Sequence, residues 1–200
     1  MTTTVQDQWV AEAPRGESRR PAWRGVNHLA LITPDMDATV RFYHGVLGMR
    51  LVATLMAGPM RHYFFEIAPG NTVAFFEWTG AETFAKPAGS RVESPLQFDH
   101  LSFNLPDHES LLAFSDRLKK AGVEVTEEID HGFIHSIYFT DPNGIALEAS
   151  YWLSDATARD DGDESAFHDP DPVPAVAEIR AGGLRNHPKT KLVDGPTGIV

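Results

Sequence analysis

"NHLALITPDMDATVRFYHGVLG", Asn27 to Gly48, decides the fold, because the chain writes it a second time. From Phe98 to Gly122 it reads "FDHLSFNLPDHESLLAFSDRLKKAG". His100 stands 72 positions after His28, and Pro106-Asp107 and Phe114 stand 72 after Pro34-Asp35 and Phe42. In each copy a short apolar strand meets a Pro-Asp pair and then an amphipathic segment. Thr33 or Asp35 can cap the first helix and Asp107 the second, since a short side-chain oxygen satisfies the free N–H groups of a first turn. Val40, Tyr43 and Leu47 form one helical face, and Leu111, Phe114, Leu118 and Ala121 the other. Gly48 and Gly122 end the helices.

Three strand-like runs follow each helix. They are "MRLVATLM", "MRHYFFEIA" and "NTVAFFEW" in the first copy, and "VEVTEEI", "FIHSIYFT" and "IALEASYW" in the second. A βαβββ order written twice predicts an α+β protein. Its two tandem modules, 23–79 and 97–153, each need a partner to cover a concave face, so a cupped mixed sheet around a cleft is expected. "GAETFAKPAGSRVESPL" supplies the linker, 80–96, rich in small residues, Pro and Gly. Residues 1–22 read as a flexible N-terminal arm. Residues 154–200 read as an acidic, Pro-rich extension packing on the body, with "AVAEIRAGG" as a short helix.

Composition narrows the class. The chain has 200 residues, 42% of them hydrophobic, enough for one good core or two small ones. It has no cysteine, which excludes disulfides, zinc fingers and thiol catalysis. Its net charge of −11 argues against a nucleic-acid backbone as partner. There is no apolar run of about 18 residues and no signal-peptide core, so a cytoplasmic protein without membrane contact is expected.

Four polar residues interrupt the strands. His28, His100, Glu148 and Glu77 sit among small or apolar neighbours, where an unpaired carboxylate costs several kcal/mol or stays protonated. Glu148 follows Glu77 by 71 positions, close to the repeat offset. Two imidazoles and two carboxylates can neutralise one another around a divalent cation. That donor set suits Fe, Mn, Zn or Ni rather than Ca or Mg.

The doubled pattern, with "FDHLSF" and "SIYFTDPNGIALE", resembles the vicinal oxygen chelate superfamily. That group includes glyoxalase I, methylmalonyl-CoA epimerase, fosfomycin and bleomycin resistance proteins, and type I extradiol dioxygenases. The resemblance covers Gly25 to Trp152. It implies a metal on His28, His100 and Glu148, with Glu77 as a fourth ligand only in a glyoxalase-like site. Ile129 to Glu148 also resembles the extradiol ring-cleavage signature. This implies His131 as a pocket acid/base and Tyr138 as a donor to a substrate oxygen. Longer extradiol enzymes often carry a further pocket histidine where this chain has Asn71-Thr72, with His62 on the preceding strand.

Two readings follow from the resemblance. Three protein ligands leave room for a diol and O2, the facial triad of a non-heme Fe(II) dioxygenase acting on a small aromatic diol. Four leave room for an enediolate, the chemistry of a glyoxalase-type lyase or epimerase using Ni, Zn, Co or Mn on an α-oxygenated substrate. A protein that sequesters an aromatic ligand without turnover is the third option. Homodimers are common in the superfamily and compatible with this chain.

Overall fold

The computed structural model describes residues 23–93, 98–158 and 168–183. The N-terminal arm lies outside the described residues, as do parts of the linker and of the C-terminal extension. Two compact units are distinguished, and the repeat lies within the one containing Gly25–Arg159.

The first module opens with β1, His28–Thr33, and helix α1, Met36–Val40. Asp35 caps the helix by accepting from the Ala38 N–H at 3.0 Å. The helix runs on into a π-helical segment, Arg41–Val46, where the Leu47 N–H reaches back to the Phe42 carbonyl at 2.9 Å. The wider turn lets two consecutive aromatics, Phe42 and Tyr43, both face inward, where the sequence spacing predicts only Tyr43. Gly48, at φ +81°, then turns the chain into β2, Arg50–Ala57. Strands β3, Met60–Ala68, and β4, Asn71–Glu77, complete the module. The strand order is β1-β4-β3-β2, with β1 parallel to β4 and the remaining pairs antiparallel.

The second module repeats this with β5, Leu101–Asn104, and α2, His108–Lys120, capped by Asp107. The strands β6, Ile129–Asp130, β7, Ile134–Thr140, and β8, Ala146–Trp152, follow in the order β5-β8-β7-β6. The long strand expected over "VEVTEEI" is reduced to β6 and one bridge, Val125 to Phe139. Glu128 there is drawn off to the imidazoles of His108 and His135, at 2.9 and 2.5 Å. Helix α3, Pro174–Arg180, carries Pro at its first turn, where no N–H is needed, and forms over the stretch expected to be helical.

The architecture is α+β, with two mixed four-stranded sheets. One hydrophobic cluster joins them. It takes Phe65, Val73 and Phe75 from the first sheet, Phe103, Ile137, Phe139 and Leu147 from the second, and Tyr43, Leu111 and Leu118 from the helical segments. The DPNG turn, Asp141–Gly144, locks the modules together. Tyr43 donates to Asp141 Oδ2 at 3.1 Å, and Thr33 to Asn143 Oδ1 at 2.7 Å. Asp141 also gathers the N–H groups of Asn143 and Ile145, which fixes the turn. Gly144 has φ +82°, and a Cβ there would lie 2.5 Å from the Phe84 carbonyl oxygen of the linker.

Candidate metal centre

Strand register decides which face each candidate occupies, since paired residues project to the same side of a sheet. On β5 and β8, Ser102 pairs with Glu148. Tyr138 on β7 pairs with Glu148 from the other side, and Ser136 with Ser150. Ser102, Ser136, Tyr138, Glu148 and Ser150 therefore share one face. Leu147, Ala149, Ile137 and Phe139 occupy the other, in the core. His100, just before β5, reaches that polar face too: its Nε2 lies 2.8 Å from Glu148 Oε2.

Glu148 is 5% exposed. A carboxylate held there needs partners for both oxygens. One contacts His100 and the other accepts from the Ser136 hydroxyl. The His100 ring is gripped at its far side, where Nδ1 donates to Asp99 Oδ1 at 2.6 Å. Asp99 is held well below the usual carboxylate range. The Gly89 N–H contributes most, then the Lys86 ammonium and the His100 N–H. Tyr138 stands edge-on to His100, and its hydroxyl is 3.0 Å from His131 Nε2. Burial, then the charge of Glu148, raises the Tyr138 phenol above its ordinary value. His131 sits in the tight β6–β7 turn, where Gly132 takes φ +87°.

In the first module, His28 pairs with Thr72, Ala30 with Ala74 and Ile32 with Phe76. These residues face away from the core, with His62 and Phe64 beside them. His28 Nδ1 donates to Asn27 Oδ1 at 2.7 Å. His62 stacks on Phe76, and burial, then the neighbouring His28, lowers its pKa.

Glu77 lies on the opposite side. It pairs with Thr33, and Val73 and Phe75 of the same row are core residues. Its Oε1 accepts from the Met36 N–H at 3.0 Å, and its Oε2 meets Arg61. The Met36 N–H is the largest influence lowering its pKa. Glu77 thus caps α1 and does not share a face with His28. By register the first-module counterpart of Glu148 is Ala74, since Ala30 pairs with Ala74 as Ser102 pairs with Glu148.

The donor chemistry of His100 and Glu148 fits a divalent transition metal. Glu148 is buried, the half-buried His100 converges on it, and each is oriented by a further hydrogen bond. Among the described residues, no three His, Asp or Glu side chains converge within one chain as a metal cage. The face carrying His28 and the face carrying His100 and Glu148 both lie opposite the shared core. Sequence reasoning missed Asn27, Asp99, Lys86 and Ser136. The first two left a signal: the doublets Asn27-His28 and Asp99-His100 recur at the repeat offset.

A model of the Glyoxalase/Bleomycin resistance protein/Dioxygenase superfamily matches residues 25–149. The chain belongs to this superfamily. Curated superfamily relatives diverge in chemistry. Lactoylglutathione lyase of Pseudomonas aeruginosa is 27% identical over 68% of this chain and 84% of its own length. The Bacillus subtilis protein described as "Putative ring-cleaving dioxygenase MhqO" is 28% identical over 80% of this chain; the chain spans only 48% of it. Glutathione transferase FosA of Serratia marcescens is 27% identical over 62% of this chain and 79% of its own. Among solved structures, the glyoxylase/bleomycin resistance protein/dioxygenase domain from Frankia sp. EAN1pec superposes with a TM-score of 0.56. It is 26% identical, covering 66% of this chain and 99% of that one. No helix among the described residues is long and apolar enough to cross a membrane.

Proposed function

We propose that the protein is an Fe(II)-dependent dioxygenase of extradiol type, acting on a small aromatic diol through His28, His100 and Glu148. The observation that carries this is the register of β4. With Glu77 committed to the helix on the far face, the ligand set in this reading is two imidazoles and one carboxylate, which would leave room for a bidentate diol and O2. Iron in this site would supply the redox and Lewis-acid chemistry by which both oxygen atoms of O2 enter the product.

The chain's own residues hold the substrate and move protons. Tyr138, kept protonated by burial and by Glu148, donates to a substrate oxygen from beside the ligand pair. His131, 3.0 Å from that hydroxyl, exchanges protons with it at the mouth of the site. Phe64, Phe76 and His62, on the His28 face, offer flat surfaces for an aromatic ring.

In this reading His28 comes from a second copy of the chain, because both ligand-bearing faces point away from the core that joins the modules. One chain's first sheet then covers its partner's second. Mixing His28→Ala and Glu148→Ala proteins, each unable to hold iron alone, should restore iron binding in the mixture. No restoration would rule out a shared site.

The activity test is anaerobic loading with Fe(II), followed by O2 uptake across a panel of catechols. Diol-dependent uptake with a yellow ring-cleaved product is expected, and none with any catechol would sink the reading. The likeness to lactoylglutathione lyase over most of that protein's length favours a second reading. In it, a divalent-metal lyase or epimerase acts on an α-oxygenated substrate without consuming O2.

A further inference from the structure

We infer that the linker between the modules sets the metal-binding histidine of the second one, through a relay from Lys86 to Asp99 to His100. This rests on the reading of His100 and Glu148 as metal ligands.

Lys86 is a linker lysine only 5% exposed. A buried ammonium needs a fixed counter-charge, and Lys86 Nζ lies 2.6 Å from Asp99 Oδ2 while also donating to the Pro87 carbonyl at 2.9 Å. The other oxygen of Asp99 accepts from the Gly89 N–H at 2.7 Å and from His100 Nδ1 at 2.6 Å. Linker residues thus hold both oxygens of Asp99, leaving it one orientation in which to grip the ring. With Nδ1 occupied by a hydrogen, Nε2 is the nitrogen presented to Glu148, 2.8 Å away.

The first module has the simpler form of the same device. Asn27 orients His28 by the same contact, but with a neutral amide oxygen and, among the described residues, no lysine behind it. His100 is thus gripped by a charged partner held from both sides, and His28 by a neutral one. Asp99 is therefore a positioning residue, and the linker sequence tunes the metal site as well as spanning the modules.

The test uses the full chain, wild type and Asp99→Ala, Asp99→Asn and Lys86→Met variants. Co(II) affinity is followed by the visible absorption of the bound ion, and the histidine tautomers by long-range 1H–15N NMR on metal-free protein. We expect His100 to carry a proton on Nδ1 in the wild type. Asp99→Ala should weaken Co(II) binding roughly 10- to 100-fold and abolish the fixed Nδ1–H. Asp99→Asn, which copies Asn27, should keep the tautomer and lose less affinity, and Lys86→Met should fall between Asn and wild type.

A folded Asp99→Ala protein with wild-type affinity and tautomer overturns the relay. So does a wild-type His100 whose Nδ1 carries no proton, an outcome that needs no variant to fold. If wild-type protein binds no Co(II), the metal reading fails instead, while the NMR result still decides whether Asp99 orients His100.

Discussion

The two modules share one scaffold and furnish it differently. Both place a histidine at the start of the first strand or just before it, and both orient it with the preceding residue. In the second module the neighbouring strand then offers Glu148, with Ser136, Tyr138 and His131 around it. In the first, the matching position is Ala74, flanked by Phe64, His62 and Phe76. One half presents a buried carboxylate ringed by imidazole, hydroxyl and phenol partners. The other brings a single imidazole and a flat aromatic wall. A duplicated fold thus supplies geometry twice, while the polar side chains on the outer face are concentrated in one copy.

The sharpest way to break this contrast is to exchange the two glutamates' fates. Glu148→Gln should abolish measurable Fe(II) or Co(II) binding, whereas Glu77→Gln should leave the affinity within about twofold of wild type, since Glu77 lies on the far face. Equal losses in both variants, read by metal titration, would return Glu77 to the ligand set. Next comes Tyr138→Phe, which keeps the ring and removes the donor. Turnover should fall by about 10²-fold or more with metal content unchanged. The structural link between the modules is tested by Gly144→Ala. The methyl group meets the linker carbonyl and the backbone sits at positive φ, so thermal unfolding should show a loss of about 1–3 kcal/mol.

The smallest effect concerns the helix cap. Glu77→Ala should cost about 1 kcal/mol of stability at neutral pH. The sign with pH follows from its lowered pKa. The contribution is fully present above the unfolded carboxylate value of about 4.3 and is lost as pH falls through the lower folded value. The gap between variant and wild type in denaturant melts should therefore close in acid.

Much of this was legible in the sequence. The repeat of His28 with His100 and of the Pro-Asp pairs marked two modules, because recurrent capping and apolar spacing have few structural solutions. Asp35 and Asp107 cap as their chemistry dictates. Glu77 misled because residue-type matching gave an offset of 71, whereas register makes Ala74, three residues earlier, the true counterpart of Glu148. Strand side chains alternate, so an odd displacement moves a residue to the other face. Asn27, Asp99 and Lys86 escaped notice because polar residues beside histidines are common; only their contacts distinguish them.

By itself, then, the sequence determined the doubled α+β scaffold, the absence of thiol chemistry, and the histidine and glutamate on which a metal reading rests. These depend on local periodicity and residue type, which a linear pattern carries. Tertiary structure alone decided that Glu77 caps a helix, that the DPNG turn fastens one module to the other, and that a linker lysine steadies Asp99 behind His100. Each of these depends on strand register or on contacts between segments distant in the chain, and these are set only when the shared core closes.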